Sequence, residues 1–465
     1  MTNIFNTRSL VREDEIQGDI PNYKKVAKDV LKIVWPAMIE GFLVALVSIF
    51  DGIMVSSLGN NAPAAVTITK QPIFFMICFI TALNIAVTAI VARRKGEKDY
   101  ISVNKTMHSA IQISFVLSIV LSISVFFLVS PINKMMGANK DTLDLANKYL
   151  RIIALGFIFN ALRLTINACQ RGMGNTHISM ITNVIANLVN IFFNYVLING
   201  NLGAKALGIE GAAIATVIGN AVAFLICIFT ILKSNEYLKF DLKKVIRIDK
   251  ESYKSIFALF PSAMIEQAIM RFGFILFALI VNHLGTEATY VHGVCSDINS
   301  LMFTLADGFA IGTSAIVGHK LGEKRRDLAI VYAKVSMSIS LLVAVIIALI
   351  MVFLRTPLIL LYNPANERLL NQAKFIMLIA AITTLPQNIQ WVLTGILRGS
   401  GDTKFTARSS LVSIVIIRPI VSYCLCYLTP FGIVGAWIGM FCDQTVRLIA
   451  NIFRFKSRAW MKIRV

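Results

Sequence analysis

The sequence carries little charge for its length. Only 15% of its 465 residues are Asp, Glu, Lys or Arg, whereas 56% are hydrophobic. A soluble domain carries about a quarter charged residues and seldom more than about half apolar ones. The composition therefore excludes a soluble globular protein and predicts an integral membrane protein. The length accommodates roughly a dozen membrane spans of ~20 residues joined by short loops.

Motifs of enzyme chemistry are also missing. The sequence contains no Walker motif, no zinc-type pair of histidines and no nucleophile elbow. Its seven cysteines lie within apolar segments and have the spacing of neither a metal site nor an exposed disulfide. We therefore predict that the protein is not an enzyme and that it uses no cofactor.

The chain is basic, with a formal net charge of +20 at pH 7. Its Lys and Arg residues concentrate between the apolar runs, in blocks at 92–98, 239–250, 319–326 and 454–464. Such blocks mark the cytoplasmic loops of membrane proteins, so we expect no nucleic-acid partner. The pattern predicts that both termini are cytoplasmic and that the protein lies in the inner (cytoplasmic) membrane of a bacterium. The first 30 residues lack the apolar region of a cleaved signal peptide.

Apolar runs separated by turn residues predict an all-α protein with twelve transmembrane helices. Breaks occur at stretches such as "SPIN" (130–133), "RGMGNT" (171–176) and "RGSGDT" (398–403). The predicted helices are 31–58, 67–92, 106–130, 146–169, 177–199, 207–232, 254–284, 291–318, 332–354, 373–397, 405–428 and 431–453.

The second half of the chain repeats the first. "VSSLG", ending at Gly59, returns as "VNHLG", ending at Gly285, and "GIEGAAIA" (208–215) returns as "GIVGAWIG" (432–439). Each repeat holds six helices, an even number, so the two lobes enter the membrane in the same orientation. Two such lobes suit alternating access to a substrate held between them. The predicted parts are a cytoplasmic N-terminal segment (1–30), an N-lobe (31–232), a cytoplasmic linker (233–253), a C-lobe (254–453) and a basic tail (454–465).

These segments as a set resemble the multidrug and toxic compound extrusion (MATE) family of secondary transporters. The resemblance rests on "IFDGIMVSSLG", "ALNIAVTAIVARRKGE", "RGMGNT" with "NLVNIFFNYVLI", "PSAMIEQAIMRFGF", "DGFAIGTSAIVGHKLGEKRRD" and "ILRGSGDTKF". It covers the chain from about residue 31 to 454. It implies a two-lobe, 12-helix exporter of organic, often cationic compounds, driven by inward movement of Na⁺ or H⁺.

The first predicted helix holds two acids, Glu40 and Asp51, and an acid inside a membrane is a candidate functional residue. Asp51 matches the family's helix-1 acid, to which the resemblance assigns cation coupling. A desolvated carboxylate can exchange a proton or bind Na⁺ through its oxygens. The alternative is an acid at the membrane boundary that faces solvent.

Candidate partners of Asp51 come from "NLVNIFFNYV". Asn190 and Asn194 lie four residues apart on one helical face. They align with the family's Asn-x-x-x-Asp cation motif, in which Asn194 replaces the Asp. Thr216 lies near a family hydroxyl ligand. Asp51, Asn190 and Asn194 thus form a candidate Na⁺ site, and the alternative role of the asparagines is hydrogen bonding between helices.

Other polar residues within the predicted helices are candidates for structural or transport roles. Glu40 and Glu266 are related by the repeat, so they either brace the lobes or line a cavity for cationic substrates. Arg271, five residues after Glu266, is a candidate ion-pair partner for it. His292 is either a proton-sensitive substrate contact or a hydrogen-bonded residue at a helix start. Asp443 and Arg447, four residues apart, are expected to neutralise each other.

The leading hypothesis is therefore a Na⁺- or H⁺-coupled antiporter that exports amphipathic, cationic organic compounds as a monomer in the lipid bilayer. A flippase of a lipid-linked precursor is the alternative, because related two-lobe folds do this work. A flippase would need a cavity rich in Arg and Lys for pyrophosphate. Intramembrane bases such as Arg163, Arg271 and Arg418 are few, which weakens that interpretation.

Overall fold

The computed structural model describes residues 6–59, 61–233, 238, 247–362, 364 and 366–463, and these residues form helices and turns without a β-strand. Most of the predicted linker, at 233–253, lies outside the described residues. Helices dominate because a backbone in hydrocarbon must satisfy its own hydrogen bonds within each spanning segment.

Twelve helices of the described residues are long and apolar enough to cross a membrane, in the predicted order. They have 24 to 37 residues, more than the ~20 that a bilayer core requires, so their ends reach beyond it. A further short helix lies at Arg355–Leu360. The twelve are α1 (Tyr23–Ser56), α2 (Asn61–Gly96), α3 (Tyr100–Met135), α4 (Lys140–Gly172), α5 (Thr176–Asn199), α6 (Ile209–Lys233), α7 (Lys250–Asn282), α8 (Thr286–Gly322), α9 (Arg326–Phe353), α10 (Glu367–Gly399), α11 (Thr403–Tyr427) and α12 (Ile433–Lys456).

Turn and capping residues explain where several helices begin and end. The side chain of Asn139 accepts hydrogen bonds from the first turn of α4 and completes a capping box with Thr142. Gly174, between α4 and α5, has a φ of 78°, a conformation that favours glycine. The predicted break at "SPIN" is wrong, because α3 continues through Pro131 to Met135. Pro131 has no N–H to donate to the carbonyl four residues before it, so α3 loses one backbone hydrogen bond near its end.

Packing divides the chain into two units, which we call the N-unit (Leu43–Phe260) and the C-unit (Met1–Phe42 with Pro261–Val465). The N-unit thus contains α1 from Leu43 onward, α2 to α6, and α7 up to Phe260. The lobe boundaries inferred from the repeat, 31–232 and 254–453, stay a prediction.

Within the N-unit, α5 and α6 approach each other closely at Gly219. A Cβ atom there would lie 2.7 Å from the Ala186 carbonyl oxygen and 3.2 Å from the Asn190 Cβ. Small residues at helix contacts let two backbones come together in membrane proteins. This contact places the polar side chains of α5 and α6 next to each other.

Within the C-unit, the first half of α1 packs on α8. A Cβ atom at Gly308 would lie 2.6 Å from the Ala37 backbone, and Val26, Val30 and Val34 belong to the same buried core as Leu321. The segment before α1 joins this core through two further buried residues, Leu10 and Val11. The predicted N-terminal segment (1–30) therefore includes the start of α1 and a packed stretch before it.

Candidate functional site

Four residues predicted for cation binding meet inside the N-unit. Asp51 of α1 accepts a hydrogen bond on Oδ1 from the Asn194 amide nitrogen of α5, at 2.7 Å. The same amide nitrogen donates to Asn190 Oδ1 at 3.2 Å. The Asn190 amide nitrogen in turn lies 3.2 Å from Thr216 Oγ1 of α6. The structure thus joins Asp51, Asn194, Asn190 and Thr216 in one chain of contacts, which we call the Asp51 cluster.

The helices enclose much of the Asp51 cluster. Asn190 and Asn194 lie one helical turn apart on the face of α5 that is buried in the protein, with 6% and 1% of their surface exposed. Asp51 and Thr216 are half-buried. A carboxylate in such surroundings lacks most of its water, so its charge depends on neighbouring groups.

The cluster offers oxygen atoms suited to a hard cation. With the Asn190 amide in its alternative orientation, its nitrogen donates to Asp51 Oδ1 at 2.8 Å and its oxygen accepts from the Thr216 hydroxyl at 3.2 Å. The buried Asn194 Oδ1 has no hydrogen-bond partner among the described residues. Carboxylate, amide and hydroxyl oxygens are the donor set of Na⁺-type cations, so these residues fit the candidate Na⁺ site.

The site is not of the zinc type. No group of three or more His, Cys, Asp or Glu side chains that could hold a metal ion occurs within the described part of the chain. The Asp51 cluster combines one carboxylate with neutral oxygen donors. This arrangement suits a monovalent cation or a proton better than a transition metal.

Sequence reasoning missed Tyr149 of α4 as a neighbour of the site. Its side chain lies near Thr216 and close enough to Asp51 for an electrostatic interaction with the carboxylate. Tyr149 also packs on the apolar cluster that contains Val55 and Ile209. No spacing along the chain relates it to Asp51, and an interfacial tyrosine in an apolar helix is a weak signal by itself.

The structure places Glu266 in the C-unit, in an ion pair with Arg398. Glu266 is 1% exposed; its Oε1 lies 2.9 Å from Arg398 Nη2, and its Oε2 accepts from the Thr406 hydroxyl at 2.7 Å. The sequence had suggested the near neighbour Arg271, which is half-buried on α7. The observed partners come from α10 and α11, which sequence spacing did not indicate. These contacts favour the bracing role for Glu266.

The other predicted residues of the C-unit are Glu40 and His292. Glu40 lies on the part of α1 that belongs to the C-unit and is half-buried. His292 lies on α8, 3.3 Å from the Ser296 hydroxyl, with its ring edge-to-face against Phe277 and Trp437 at 5.3 and 5.8 Å. This setting favours a packed, hydrogen-bonded histidine over a substrate contact.

The predicted pairing of Asp443 with Arg447 is confirmed, at 3.9 Å. Asp443 also accepts a hydrogen bond from Arg418 Nε at 2.9 Å. Asp443 is fully buried and both arginines are at most 3% exposed. One carboxylate thus pairs with two guanidinium groups inside the C-unit.

Comparison with known proteins assigns the chain to a family. A family model described as MatE matches residues 36–196 and, a second time, residues 262–424. The chain belongs to the MatE family. The two matches confirm the predicted duplication, since each covers most of one six-helix repeat of this MatE protein. Members of the family are membrane transporters rather than enzymes, so the chain is a multi-pass membrane transporter.

Relatives and a solved structure share this architecture over nearly the whole MatE chain. An uncharacterized transporter YisQ of Bacillus subtilis is 27% identical, over 92% of this chain and 94% of its own. A probable multidrug resistance protein NorM of Thermotoga maritima is 26% identical, over 94% of each chain. The outward-facing conformation of a multidrug resistance MATE family transporter matches with a TM-score of 0.88 at 19% identity, covering 94% of this chain and 97% of that one. The structural match confirms the two-lobe fold of twelve helices.

Proposed function

We propose that this MatE protein is a cation-coupled antiporter that exports amphipathic, cationic organic compounds by alternating access. The observation that carries the proposal is the Asp51 cluster, in which a half-buried carboxylate is held by Asn194 and Asn190 inside a helical unit. The names of several relatives as multidrug resistance proteins support export of organic compounds.

Asp51 is the group that would change its charge or its ligand during the cycle. A proton or a Na⁺ ion on the carboxylate removes or balances its negative charge, and either one would favour a different set of contacts with Asn194. An amide oxygen ligates Na⁺ but an amide does not titrate, so proton coupling would depend on Asp51 alone within the cluster. Because ion binding changes the relative free energies of the transport states, it shifts the protein between them and so drives export.

The proposal includes the orientation inferred from the basic residues. Both termini would face the cytoplasm of a bacterium, the protein would act as a monomer in the inner membrane, and no cofactor would be needed. Under this orientation Thr176, at the start of α5, lies at the cytoplasmic end of that helix. Asn199, at the other end of α5, lies on the outer side of the membrane.

The test is ethidium efflux from proteoliposomes under separately imposed Na⁺ and proton gradients. We expect gradient-driven efflux by the native protein and its loss in Asp51→Asn, with the effective gradient naming the ion. The control is Asp144→Asn, which removes a carboxylate whose ion pair with Lys148 lies on the surface of the same unit and which should leave efflux unchanged. Full efflux by Asp51→Asn would reject Asp51 as the coupling residue.

Two bases of the C-unit, Arg398 and Arg418, give the flippase alternative no support. Arg398 pairs with Glu266, and Arg418 pairs with Asp443, so these guanidinium groups are already engaged by carboxylates. A pyrophosphate site would need them to be available. Absence of efflux under either gradient, from a well-folded native protein, would nevertheless make a lipid-linked precursor the next substrate to test.

A further inference from the structure

An apolar groove of about 210 Å³ lies between α3 and α4 in the N-unit. It opens to the outside of the unit, since three of its lining residues, Ile123, Phe127 and Leu155, are 52%, 77% and 63% exposed. A single serine interrupts the apolar lining. The apolar residues that line the groove are Ile119, Ile123, Phe126 and Phe127 of α3, with Leu155 and Ile158 of α4.

A packed core supports the groove from behind. Val125 of α3 and Ala154 of α4 are the sequence neighbours of two lining residues, and they are 7% and 0% exposed. Both belong to one apolar cluster of the two helices, together with Val129 and Leu150. Because these side chains fill the contact between α3 and α4, the groove is preformed, as ligand sites commonly are.

Arg151 lies at one end of the groove. Its guanidinium carbon is 5.8 Å from the centre of the ring of Phe126, a lining residue. The side chain is exposed, and within the described part of the chain it has no carboxylate partner. The acid that precedes it on α4, Asp144, pairs with Lys148 at 3.0 Å instead. A guanidinium over a ring face keeps the N–H donors along its edge available to an anion.

The position of Arg151 in α4 corresponds to a boundary of the membrane. Five charged residues lie within 140–151, and none lies within 152–162. The hydrocarbon core therefore begins just after Arg151, whose charged end reaches the level of the lipid headgroups. From Arg151 to Ile158 the groove extends about 10 Å along α4 into the core, within the roughly 15 Å of one leaflet.

This combination matches the two parts of an anionic phospholipid. A phosphate at headgroup level accepts charge-assisted hydrogen bonds from a guanidinium, and an acyl chain extends from the headgroup into the hydrocarbon. A drug-sized ligand does not match, because sites for such ligands measure about 300–1,000 Å³. Arg151 would also repel the cationic compounds that we propose as the exported substrates.

We propose that the groove between α3 and α4 binds one anionic phospholipid, with its phosphate on Arg151 and an acyl chain against Phe126 and Leu155. Under the proposed orientation the lipid belongs to the outer leaflet. The inference goes beyond the proposed function, since it depends neither on the coupling ion nor on the exported compound. A lipid that contacts both helices binds only the folded N-unit and therefore stabilises it.

The experiment counts lipids bound to the delipidated protein in a neutral detergent, by native mass spectrometry. Phosphatidylglycerol is the anionic probe, and phosphatidylcholine with the same acyl chains is the zwitterionic probe. Glycerol phosphate supplies the anion without the chains. We expect one phosphatidylglycerol to bind each native chain severalfold more tightly than phosphatidylcholine, and we expect no binding of glycerol phosphate.

Two variants remove the two parts of the site. Arg151→Gln should weaken phosphatidylglycerol binding about fivefold or more and remove the preference over phosphatidylcholine. Leu155→Trp fills the groove from a position that is 63% exposed, so it should fold and should weaken the binding of both lipids. The matched control Lys140→Gln removes an exposed positive charge from the start of the same helix and should bind both lipids as the native protein does.

Thermal unfolding in detergent gives an independent measurement, because a ligand of the folded state raises the midpoint according to its affinity. Phosphatidylglycerol should raise the midpoints of the native protein and Lys140→Gln more than those of Arg151→Gln and Leu155→Trp. Equal binding by all four proteins, equal native affinity for the two lipids, or binding of glycerol phosphate would each overturn the inference. Neither assay measures ethidium efflux, so failure of the proposed function would leave these results unchanged.

Discussion

At the scale of residues, Asp51 is placed where its charge has few compensating groups. Asn194 donates to it at 2.7 Å, and Asn190 does so in its alternative orientation at 2.8 Å. An ionised group inside a membrane costs at least ~2.5 kcal/mol, and two neutral donors replace only part of its hydration. A cation or proton would supply the rest, which is why the site suits reversible ion binding.

The sequence identified all four residues of this cluster but not their neighbour Tyr149. Asn190 and Asn194 were found from their spacing on one helical face, and Thr216 from the family resemblance. Tyr149 and the partners of Glu266 were missed because they come from helices distant in the chain. Spacing along one helix predicts which side chains are neighbours on that helix. Contacts between helices depend on how the helices pack, which the spacing of residues does not predict.

Asn194→Asp tests what the amide contributes to ion choice. The change places a second carboxylate beside Asp51, and two adjacent carboxylates do not both stay ionised, so one will hold a proton. We expect ethidium efflux to become driven mainly by a proton gradient, with the dependence on Na⁺ reduced severalfold or more if the native protein uses Na⁺. Efflux assays under separately imposed gradients measure this shift.

Asn187→Asp is the matched control. Asn187 lies on the same polar face but outside the hydrogen bonds of the Asp51 cluster. It introduces the same charge without a contact to Asp51, so the ion dependence should stay that of the native protein. An equal shift in both variants would show that negative charge anywhere on α5 alters ion choice, and would remove the special role of position 194.

Glu266→Gln tests the bracing role in the C-unit. It removes one charge of a buried ion pair and leaves Arg398 without its counter-charge, which costs about 3 kcal/mol in the free energy of unfolding. We expect a lower thermal midpoint in detergent and unchanged ethidium efflux per folded molecule. The double variant Glu266→Gln with Arg398→Gln should recover part of the loss, and this double-mutant cycle measures the pair. Normal stability with lost efflux would instead place Glu266 in the substrate path.

At the scale of helices, hydropathy predicted every membrane-spanning helix but not their true ends. The observed helices extend past the apolar runs because polar first and last turns, such as Tyr23–Asp29 of α1, continue the helix outside the bilayer core. The π-helical stretch at Leu411–Ile417 within α11 was not predicted either. Its composition is that of an ordinary apolar helix, so only the packed structure distinguishes it.

Gly219→Ala tests the close contact of α5 with α6. The added methyl group would lie 2.7 Å from the Ala186 carbonyl oxygen, so the helices must separate by several tenths of an ångström. We expect a loss of about 1–3 kcal/mol in stability and weaker ion coupling, because Asn190 and Thr216 move apart. Ethidium efflux as a function of ion concentration, with thermal unfolding in detergent, measures both effects.

The matched control for this substitution is Gly52→Ala. Gly52 is next to Asp51 in the sequence, yet an added Cβ there meets no atom within 4 Å among the described residues. It should leave stability and ion dependence near those of the native protein. Native behaviour in Gly219→Ala would mean that the helix contact tolerates separation and does not set the geometry of the Asp51 cluster.

At the scale of the whole molecule, the repeat predicted two six-helix lobes, and the double MatE match confirms the duplication. The packed units follow the repeat without coinciding with it. The first part of α1 is grouped with the C-unit, and α7 up to Phe260 with the N-unit. The boundaries of the repeat reflect the duplication of the sequence, whereas the boundaries of the packed units depend on which apolar faces meet. Val26, Val30 and Val34 contribute to a C-unit core that no feature of the repeat indicates.

The last prediction concerns the segment before α1. This segment is polar in composition, yet part of it packs in the C-unit core. Leu10 and Val11 are 4% and 6% exposed in the C-unit core, and the Leu10 carbonyl oxygen accepts from Lys334 Nζ at 2.7 Å. Glu15 receives two hydrogen bonds from Arg458, each 3.2 Å long. These contacts attach the segment to α9 and to the chain after α12.

Leu10→Ala combined with Val11→Ala should therefore destabilise the protein by about 2–4 kcal/mol, because both side chains leave a filled core. The control combines Arg8→Ala with Arg12→Ala, two exposed positions of the same segment, and should change the thermal midpoint little. Thermal unfolding in detergent compares the two double variants. Equal midpoints would show that the segment adds no stability to the C-unit, and that its buried residues are replaceable by solvent or detergent. A lower midpoint for the Leu10 and Val11 variant alone would make the segment part of the folded C-unit, joined directly to the helix that carries Asp51.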